Sequence, residues 1–440
     1  MKKNVLFLIA LLPWVGELSA QSSGQPYGEI DKMADQLEPK VIAWRHDLHQ
    51  FPELSNREFK TAEKVAKHLQ ALGLEVKKGV ASTGVVGILR TGKPGPTVAL
   101  RADMDGLPVV ERVNLPWASK EKSEYLGGEV GVMHACGHDT HVAMLMGAAE
   151  ILTKMKGQLK GNIVFLFQPA EEGAPPGEKG GAGLMVEEGV LDNPKVDVAF
   201  GLHINAQTEV GQIRFKPGGT MAAADRFVIK VKGKQTHGST PWTGIDPITV
   251  AAQIAQGLQL IIARQTELTK EAAVISIGKI SGGVRHNIIP EEVEMIGTIR
   301  TLDVAMQDMI HEKIRTTATN IAAASGASVE VEIERGVPVT FNSRELTQAM
   351  GNTMKRVAGE DNVLLTRAVT GSEDFSFFAN KVPSLFLFLG GMPKGMNPME
   401  AAPHHTPDFY VDDAGMKLGV RLLCNLTLDY LNNPLVLGRK

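Results

Sequence analysis

The sequence has little cysteine and no excess of one charge. Only two of its 440 residues are cysteines, so a framework of disulfide bonds is excluded. The 46 Lys and Arg residues nearly balance the 49 Asp and Glu residues, which leaves a formal net charge of -3. A chain without a basic excess lacks the electrostatic footprint of a nucleic-acid-binding protein. We therefore expect no nucleic-acid partner, and the substrate has to be inferred from the site.

Beyond its start, the sequence also lacks an apolar run long enough to span a membrane. Residues 1–20 combine a basic start, an apolar run over residues 5–15 and a small-residue end at Ser19-Ala20, the pattern of a secretory signal peptide. A membrane anchor is the alternative, but the run is short and Pro13 interrupts it. We expect an exported, periplasmic or secreted protein that is soluble and leaves the membrane once the signal is removed.

The chain is long enough for two or three domains. Short apolar runs bounded by Gly and Pro, typical of buried strands, alternate with helical patterns over residues 36–221 and return over 335–440. Between them, residues 222–334 alternate apolar and polar positions in the order β-α-β-β-α-β, the split ferredoxin-like order. We predict an α/β catalytic domain with a mixed central sheet, which carries an inserted ferredoxin-like α+β domain. Residues 21–35, polar and Gly/Ser-rich at first, are predicted to be a flexible spacer.

The densest group of metal-ligand residue types is Met-His-Ala-Cys-Gly-His-Asp-Thr-His at residues 133–141. Thiolate, imidazole and carboxylate groups are costly to bury together unless a cation neutralises them. A buried core cysteine with solvated loop histidines is the alternative. Because Asp103 and Asp105 precede the cluster and more acids and histidines follow it, we predict a metal site that includes Cys136. Cys424 is assigned to the core of the closing helix.

Acids and histidines also follow the predicted buried strands. Glu171 and Glu172 come after the strand at residues 163–167, and His203 comes after the strand at 196–202. Ligands of open α/β sheets bind at this carboxyl edge. Adjacent residues at a strand end point to opposite sides, so one carboxylate can bind metal while the other takes a proton from water. A solvated acidic loop is the alternative.

Two further histidines stand between prolines in Pro403-His-His-Thr-Pro407. A histidine pair in a polar loop has no function in many proteins. Here one of the two would close the metal site from the second half of the catalytic domain. The residues alone leave open which of the two does so.

Several motifs together resemble the M20 family of metallopeptidases, above all its amidohydrolase branch of hippurate hydrolases, N-acyl-amino-acid amidohydrolases and plant auxin-conjugate hydrolases. The similarity begins at residue 45 and covers nearly the whole chain after the signal. One departure is Gly106, where the branch commonly has Ala. The motifs are Arg45-His-Asp-Leu-His-Gln-Phe-Pro-Glu-Leu54, Arg101-Ala-Asp-Met-Asp-Gly-Leu-Pro108, His134-Ala-Cys-Gly-His-Asp-Thr-His141, Gln168-Pro-Ala-Glu-Glu172 and Gly201-Leu-His203.

The resemblance implies two divalent metal ions per chain and a catalytic role for Glu171 as general base. Asp103 and Asp105 would lie behind the ligands, where they orient imidazoles and tune ligand basicity. The Cys/His/Glu set suits zinc, while related branch members imply that manganese, cobalt or nickel serve as well. The implied metal ligands are a bridging Cys136 with His138, Glu172, His203 and His405.

The resemblance also assigns roles within the inserted domain. His237 matches a histidine that reaches a neighbouring active site and helps to hold the oxyanion. Asn287 and Arg300 match groups that contact the free carboxylate of the substrate, and an Arg can grip a carboxylate with two parallel hydrogen bonds. An exposed loop histidine and a solvated arginine are the alternatives. Because His237 would serve a neighbouring active site, we expect a homodimer formed through the inserted domain.

These expectations lead to a metal-dependent amidohydrolase that cleaves the amide bond of N-acyl amino acids through a metal-activated water. An M20-type exopeptidase acting on dipeptides is the closest alternative. A cysteine hydrolase that uses Cys136 would leave Glu171, Glu172 and His203 unexplained. A metal-dependent binding protein without catalysis is the third alternative, although the position of the base is filled.

Overall fold

The computed structural model describes residues 27–435. The expected signal peptide and the first part of the expected spacer, residues 1–26, lie outside the described residues. The helices are α1 Tyr27–Gln50, α2 Phe59–Ala71, α3 His138–Lys154, α4 Gly181–Glu187, α5 Pro247–Gln265, α6 Val304–Ala324, α7 Arg344–Ala358, α8 Ser376–Ala379 and α9 Met416–Asn432. The strands are β1 Glu75–Val80, β2 Gly84–Arg90, β3 Thr97–Asp103, β4 Lys122–Tyr125, β5 Gly128–Gly131, β6 Asn162–Gln168, β7 Val198–Glu209, β8 Ile213–Phe215, β9 Gly218–Met221, β10 Ala223–Lys232, β11 Thr236–His237, β12 Ala273–Gly282, β13 Ile288–Ile289, β14 Glu292–Thr301, β15 Ser328–Val337, β16 Thr340–Asn342, β17 Val363–Leu365 and β18 Ser384–Met392.

Residues 27–35, which we expected to belong to a flexible spacer, are helical instead. They form the start of α1, where Ile30 and Ala34 are buried on one face. The same face continues through Leu37 and Val41 and belongs to the core that α3 and α9 share. Residues three and four apart lie on the same side of a helix, so this spacing buries a continuous apolar stripe. The polar residues that open the segment concealed this stripe in the sequence.

An eight-stranded mixed sheet forms the larger domain, in the order β1-β2-β6-β3-β7-β18-β8-β17. Its central strands β6, β3, β7 and β18 are parallel, whereas β1, β2 and β8 each have an antiparallel neighbour. Alternate residues of the central strands enter two cores, one with α1, α3 and α9 and the other with α4 and α8. Both faces are therefore covered, which explains the continuous apolar runs in these strands.

A separate four-stranded antiparallel sheet forms the smaller domain, in the order β12-β14-β10-β15. Helices α5 and α6 cover one face, where Phe227, Ile254 and Ile310 share a core. The other face is open, which accounts for the alternation of apolar and polar residues. The order β10-α5-β12-β14-α6-β15 is the predicted β-α-β-β-α-β pattern.

The smaller domain lies between two parts of the larger one in the chain. Strand β7 precedes it and β18 follows it, yet these two strands pair in parallel within the same sheet. The predicted class, an α/β domain with a mixed sheet and an inserted α+β domain, is confirmed. Within residues 27–435, no helix combines the length and the apolar character needed to span a membrane. Cys424 is free and fully buried in α9, as predicted.

Candidate metal centre and active site

The residues expected at the site meet at the carboxyl edge of the parallel strands. Asp103 is the last residue of β3, and Glu171 and Glu172 follow the end of β6. His203 lies inside β7 and not beyond its end as expected, because β7 continues to Glu209. The pairing of β3 with both β6 and β7 brings these groups to one edge of the sheet.

Cys136 lies at the centre of this edge, between two imidazoles. Its Sγ is 3.4 Å from His203 Nε2 and 3.3 Å from His405 Nε2. The next residue, Gly137, precedes α3 with φ 90°, and a Cβ there would come 2.3 Å from Ile204 Cγ2. Glycine is required at this position, since both the positive φ and the close approach of β7 exclude a side chain.

Two other predicted ligands, His138 and Glu172, have atoms close to each other that lack hydrogen-bond partners. Glu172 Oε1 lies 3.0 Å from His405 Nε2 and 3.9 Å from His138 Nε2. His138 Nε2 and Glu172 Oε1 are both buried, and no hydrogen bond of acceptable geometry reaches either atom. Buried polar atoms without hydrogen-bond partners are rare, and a cation-binding site is one explanation for them. A cation between these atoms would satisfy both, so the residues fit a metal centre.

Hydrogen bonds donated by Nδ1 leave the Nε2 atoms of two predicted ligands available to a metal. His138 Nδ1 is 2.9 Å from the carbonyl oxygen of Asp105 and 3.2 Å from its carboxylate Oδ1. His203 Nδ1 is 2.6 Å from the carbonyl oxygen of Ile204. Carbonyl and carboxylate partners hold the proton on Nδ1 and turn Nε2 toward the metal. Ser55 Oγ in turn donates to Asp105 Oδ2 at 2.7 Å.

Two neighbouring histidines have both ring nitrogens occupied. His404 Nδ1 is 3.2 Å from the carbonyl oxygen of Cys136, and its Nε2 accepts the Ala206 N–H at 3.1 Å. His141 Nδ1 is 2.5 Å from Asp103 Oδ1, and its Nε2 accepts the Ile204 N–H. Neither ring has a nitrogen left for a metal, although both lie beside the cluster. The hydrogen bonds therefore favour His405 over His404 as the ligand.

The charges of the cluster also favour a bound cation. Burial raises the pKa of the Cys136 thiol well above its usual value, and the carboxylates of Glu172 and Glu171 raise it further. Burial lowers the pKa of His138, but the charges of Asp103 and Asp105 outweigh this effect and raise it to about 10. A divalent cation would counter both raised pKa values, because it favours the thiolate of Cys136 and the neutral imidazole of His138. The mixture of sulfur, nitrogen and oxygen donors suits a borderline-soft divalent ion.

A buried arginine behind the site was missed by the sequence analysis. Arg101 in β3 is 1% exposed, and its guanidinium donates to three carboxylates and one side-chain amide. Its partners are Asp103 Oδ2 at 2.5 Å, Glu373 Oε1 at 2.9 Å, Asp374 Oδ1 at 3.1 Å and Gln168 Oε1 at 2.8 Å. An Arg within an apolar strand indicates a buried acidic partner, and this was the available signal.

Glu373 and Asp374 themselves approach the expected general base. A carboxylate oxygen of each lies within 4.8 Å of one on Glu171, and the Asp374 N–H donates to Glu171 Oε1 at 3.4 Å. Burial raises the pKa of Glu171 well above its usual value, and the charges of Glu373, Glu172 and Asp374 raise it further, whereas Arg101 lowers it. The carboxyl edge thus holds a carboxyl group with an enhanced affinity for a proton.

A cavity of about 400 Å³ opens onto the cluster. Cys136, Glu171, Glu172, His203 and His405 line its base, and residues at the junction with the inserted domain line its wall. Those residues are Met221, Val337, Val369, Gly371, Ser372 and Phe388.

The three residues of the inserted domain that were expected to contact the substrate do not lie together: Arg300 is at the cavity, whereas His237 and Asn287 are not. Arg300 Nη1 donates to Ser372 Oγ at 3.4 Å and so reaches the wall of the cavity. His237 and Asn287 do not line this cavity. They lie together at the ladder of β11 and β13, where the Gly238 N–H donates to the carbonyl oxygen of Asn287. His237 is exposed there, with Nδ1 3.0 Å from the Ser239 N–H.

Replacing His405 by Ala should weaken metal binding more than replacing His404. The first change removes a nitrogen that faces Cys136 and Glu172, while the second removes only bonds to backbone groups. Loss of an orienting group costs about 10–100-fold in metal affinity, and loss of a ligand costs more. Competition with a chromogenic chelator measures the difference. Equal or larger loss in the His404→Ala variant would contradict the choice of ligand.

Known proteins resemble this chain over most of its length. A family model described as peptidase family M20/M25/M40 matches residues 99–429. Thermostable carboxypeptidase 1 of Saccharolobus solfataricus is 42% identical over 401 residues, which cover 90% of this chain and 97% of that protein. IAA-amino acid hydrolase ILR1-like 2 of Arabidopsis thaliana is 33% identical over 438 residues, which cover 97% of this chain and 93% of that protein.

A solved structure is similar to this chain in both fold and sequence. The YXEP protein of Bacillus subtilis, described as a dinuclear metal binding peptidase from the M20 family, superposes with a TM-score of 0.76. It is 33% identical, and the match covers 90% of this chain and 99% of that chain. The similarity therefore extends over both domains.

Proposed function

The chain belongs to peptidase family M20/M25/M40, and we propose from this that it hydrolyses the amide bond of N-acyl amino acids that keep a free carboxylate. One observation carries the proposal: two adjacent carboxylates at the end of β6 differ in surroundings. Both carboxylates lie 3.9 Å from His138 Nε2, but Glu172 Oε1 also lies 3.0 Å from His405 Nε2, whereas Glu171 is close to Glu373 and Asp374. This difference suits Glu172 as a metal ligand and Glu171 as the general base.

Cys136, His138, Glu172, His203 and His405 would hold the two proposed divalent ions. When bound, divalent ions polarise the amide carbonyl and lower the pKa of water to about 7, so that hydroxide is accessible at neutral pH. Asp105 holds the proton of His138 on Nδ1, and Ser55 fixes Asp105 in turn. Asp103 bonds to Arg101 and His141, so its role is to hold the surrounding framework.

Glu171 is the proposed proton carrier. Its raised pKa makes the carboxylate a stronger proton acceptor than an exposed glutamate. A carboxylate oxygen of Glu171 takes the proton of the attacking water and then gives it to the nitrogen of the departing amino acid. The Asp374 N–H holds the other oxygen of Glu171 and restricts rotation of the carboxylate.

Groups from the inserted domain are proposed to bind the carboxylate and the oxyanion. Arg300, beside Ser372 on the cavity wall, supplies a charged donor for the free carboxylate. His237 is exposed and away from the cavity of its own chain, which supports a dimer in which it serves the partner's site. A solution mass equal to one chain, measured by light scattering, would exclude this arrangement.

An exopeptidase that acts on dipeptides is the second proposed function. The identity of 42% to a protein named a carboxypeptidase favours it. Both functions release an amino acid with a free carboxylate, and they differ only in the group on the other side of the bond. We also propose export, based on the signal pattern in residues 1–20. Detection of the intact N-terminus in the cytoplasmic fraction would contradict export.

Hydrolysis assays on acyl amino acids and dipeptides test the proposed function. We expect protein that begins at Gln21 to cleave N-acetyl, N-benzoyl and indoleacetyl amino acids and to lose this activity in the presence of a chelator. Elemental analysis should find about two divalent ions per chain, and reconstitution with zinc, manganese, cobalt or nickel should restore cleavage. Preference for free dipeptides would select the exopeptidase. Activity that resists metal removal would overturn the proposal.

A further inference from the structure

We propose that a second pocket beside the metal centre binds the acyl group of the substrate and selects neutral, apolar acyl groups larger than acetyl. This inference rests on the amide hydrolysis proposed above. The pocket of about 330 Å³ lies between the β4–β5 hairpin and the loop at residues 173–176. Small-molecule sites of this size are typically apolar with a few fixed polar groups.

The position of the pocket relative to the metal centre suits the acyl side of the bond. Glu172 and Gly173 line both this pocket and the cavity that holds Cys136 and Glu171, so the two spaces meet at the carboxylates. Arg300 reaches the first cavity at Ser372, which lines that cavity but not the second pocket. A substrate with its carboxylate at Arg300 and its amide bond near Glu171 therefore extends its acyl group past Glu172 into the second pocket.

Apolar and polar surfaces contribute almost equally to the walls of the pocket, and the apolar part comes from several segments of the chain. Leu54, Leu107 and Pro108 form one side, and Pro175 and Pro176 form another. The tip of the hairpin adds Tyr125 and Leu126, which are 39% and 72% exposed. Large apolar side chains that stay exposed next to a concave apolar surface are typical of a ligand site, because a bound group would remove both surfaces from water.

The charges around the pocket disfavour an anionic acyl group. Arg57 is the only cationic side chain among the lining residues, all of which the structure describes. It is already paired with Glu178 at 2.6 Å. Glu124 also lines the pocket, and its cross-strand neighbour Glu129 is already paired with Lys122 at 2.7 Å, so the carboxylate of Glu124 supplies the negative charge at this end of the pocket. An acyl group with its own carboxylate would be repelled there, whereas a neutral aromatic or branched aliphatic group would not.

The base of the pocket is fixed to the metal centre. Ser55 on the pocket wall donates to Asp105, which holds His138. Leu107 exchanges two backbone hydrogen bonds with Met133, three residues before Cys136. These bonds hold the pocket at a constant distance from the predicted ligands. The hairpin, in contrast, forms its own two-stranded sheet, so changes at its tip do not disturb the main sheet.

Shortening Leu126 tests the proposal, with Leu365 as a matched control. Both leucines are exposed, at 72% and 73%, but Leu365 lies in β17 and lines neither space. We expect Leu126→Ala to lower kcat/KM for an N-benzoyl amino acid about tenfold and to leave kcat/KM for the N-acetyl form of the same amino acid within about twofold. Leu365→Ala should change neither value, and Tyr125→Ala should behave like Leu126→Ala.

A binding measurement separates recognition from catalysis. In the Glu171→Gln background, calorimetry should show that Leu126→Ala weakens binding of the N-benzoyl amino acid about tenfold. Binding of the N-acetyl form should be unchanged. An unchanged benzoyl-to-acetyl ratio in both experiments would overturn the acyl pocket while the hydrolase stands. A wild-type enzyme that cleaves neither compound with any of the four metals would overturn the proposed function, and the pocket assignment with it.

Discussion

The Glu171→Gln variant should retain its metal ions and lose about 10²–10⁴-fold in kcat. Gln has nearly the shape of Glu, so the side chain still fits among Glu172, Glu373 and Asp374. It cannot take a proton from water or return one to the leaving nitrogen. Because Glu172, and not Glu171, contacts His405 Nε2, the substitution should affect proton transfer far more than metal binding. Single-turnover hydrolysis and elemental analysis on one preparation measure both properties.

The neighbouring residue supplies the matched control for this prediction. Glu172→Gln makes the same chemical change one position along the chain, at an oxygen 3.0 Å from His405 Nε2. We expect this variant to lose metal affinity, and its activity should recover partly at high metal concentration. If Glu171→Gln also loses metal, or turns over like the wild type, Glu171 is not the general base.

The Arg101→Met variant should be far less stable than the wild type, with a loss of about 3–5 kcal/mol in the free energy of unfolding. Arg101 is fully buried, and its removal leaves the carboxylates of Asp103, Glu373 and Asp374 without their cation. Burial already raises the pKa of Asp374 to about 7 even though Arg101 lowers it. Without Arg101, each acid would have to take up a proton or remain as an unpaired buried charge.

Arg90→Met provides the comparison for a surface pair. Arg90 Nε lies 3.0 Å from Glu75 Oε2, but the two side chains are 44% and 61% exposed. Such a pair contributes less than about 1 kcal/mol, so thermal unfolding should be almost unchanged. Arg101→Lys, which keeps the charge but not the forked geometry, should fall between the two and remain measurable if Arg101→Met fails to fold. Equal unfolding midpoints for Arg90→Met and Arg101→Met would contradict the argument.

Local patterns in the sequence were sufficient for much of the fold. Apolar runs between Gly and Pro predicted the central strands, and the alternation at residues 328–334 predicted β15 with its one open face. Both patterns depend on how many faces of a strand are buried, which neighbouring residues record directly. The helical start of α1 was missed because Ile30 and Ala34 follow a polar, Gly-containing segment.

The metal site, like the fold, was predicted only as far as local residue patterns reach. Mixed ligand types close together at Cys136 and His138 predicted a metal centre, because burying them without a cation is unfavourable. Residue types alone did not distinguish His404 from His405, since adjacent histidines have the same local surroundings, and only the family resemblance indicated His405. Their hydrogen bonds differ only because His404 meets the Ala206 N–H and the carbonyl oxygen of Cys136 in the folded chain.

The sequence by itself determined the class of fold, the family resemblance and the residues that could bind metal, because each depends on local residue types and spacing. Only the tertiary structure decided which groups share one space. Arg101 meets Glu373 across 272 positions of the chain, and the pocket at Leu126 meets the cavity at Glu172. Such encounters depend on the order of strands in the sheet and on the path of the loops, which no local pattern encodes.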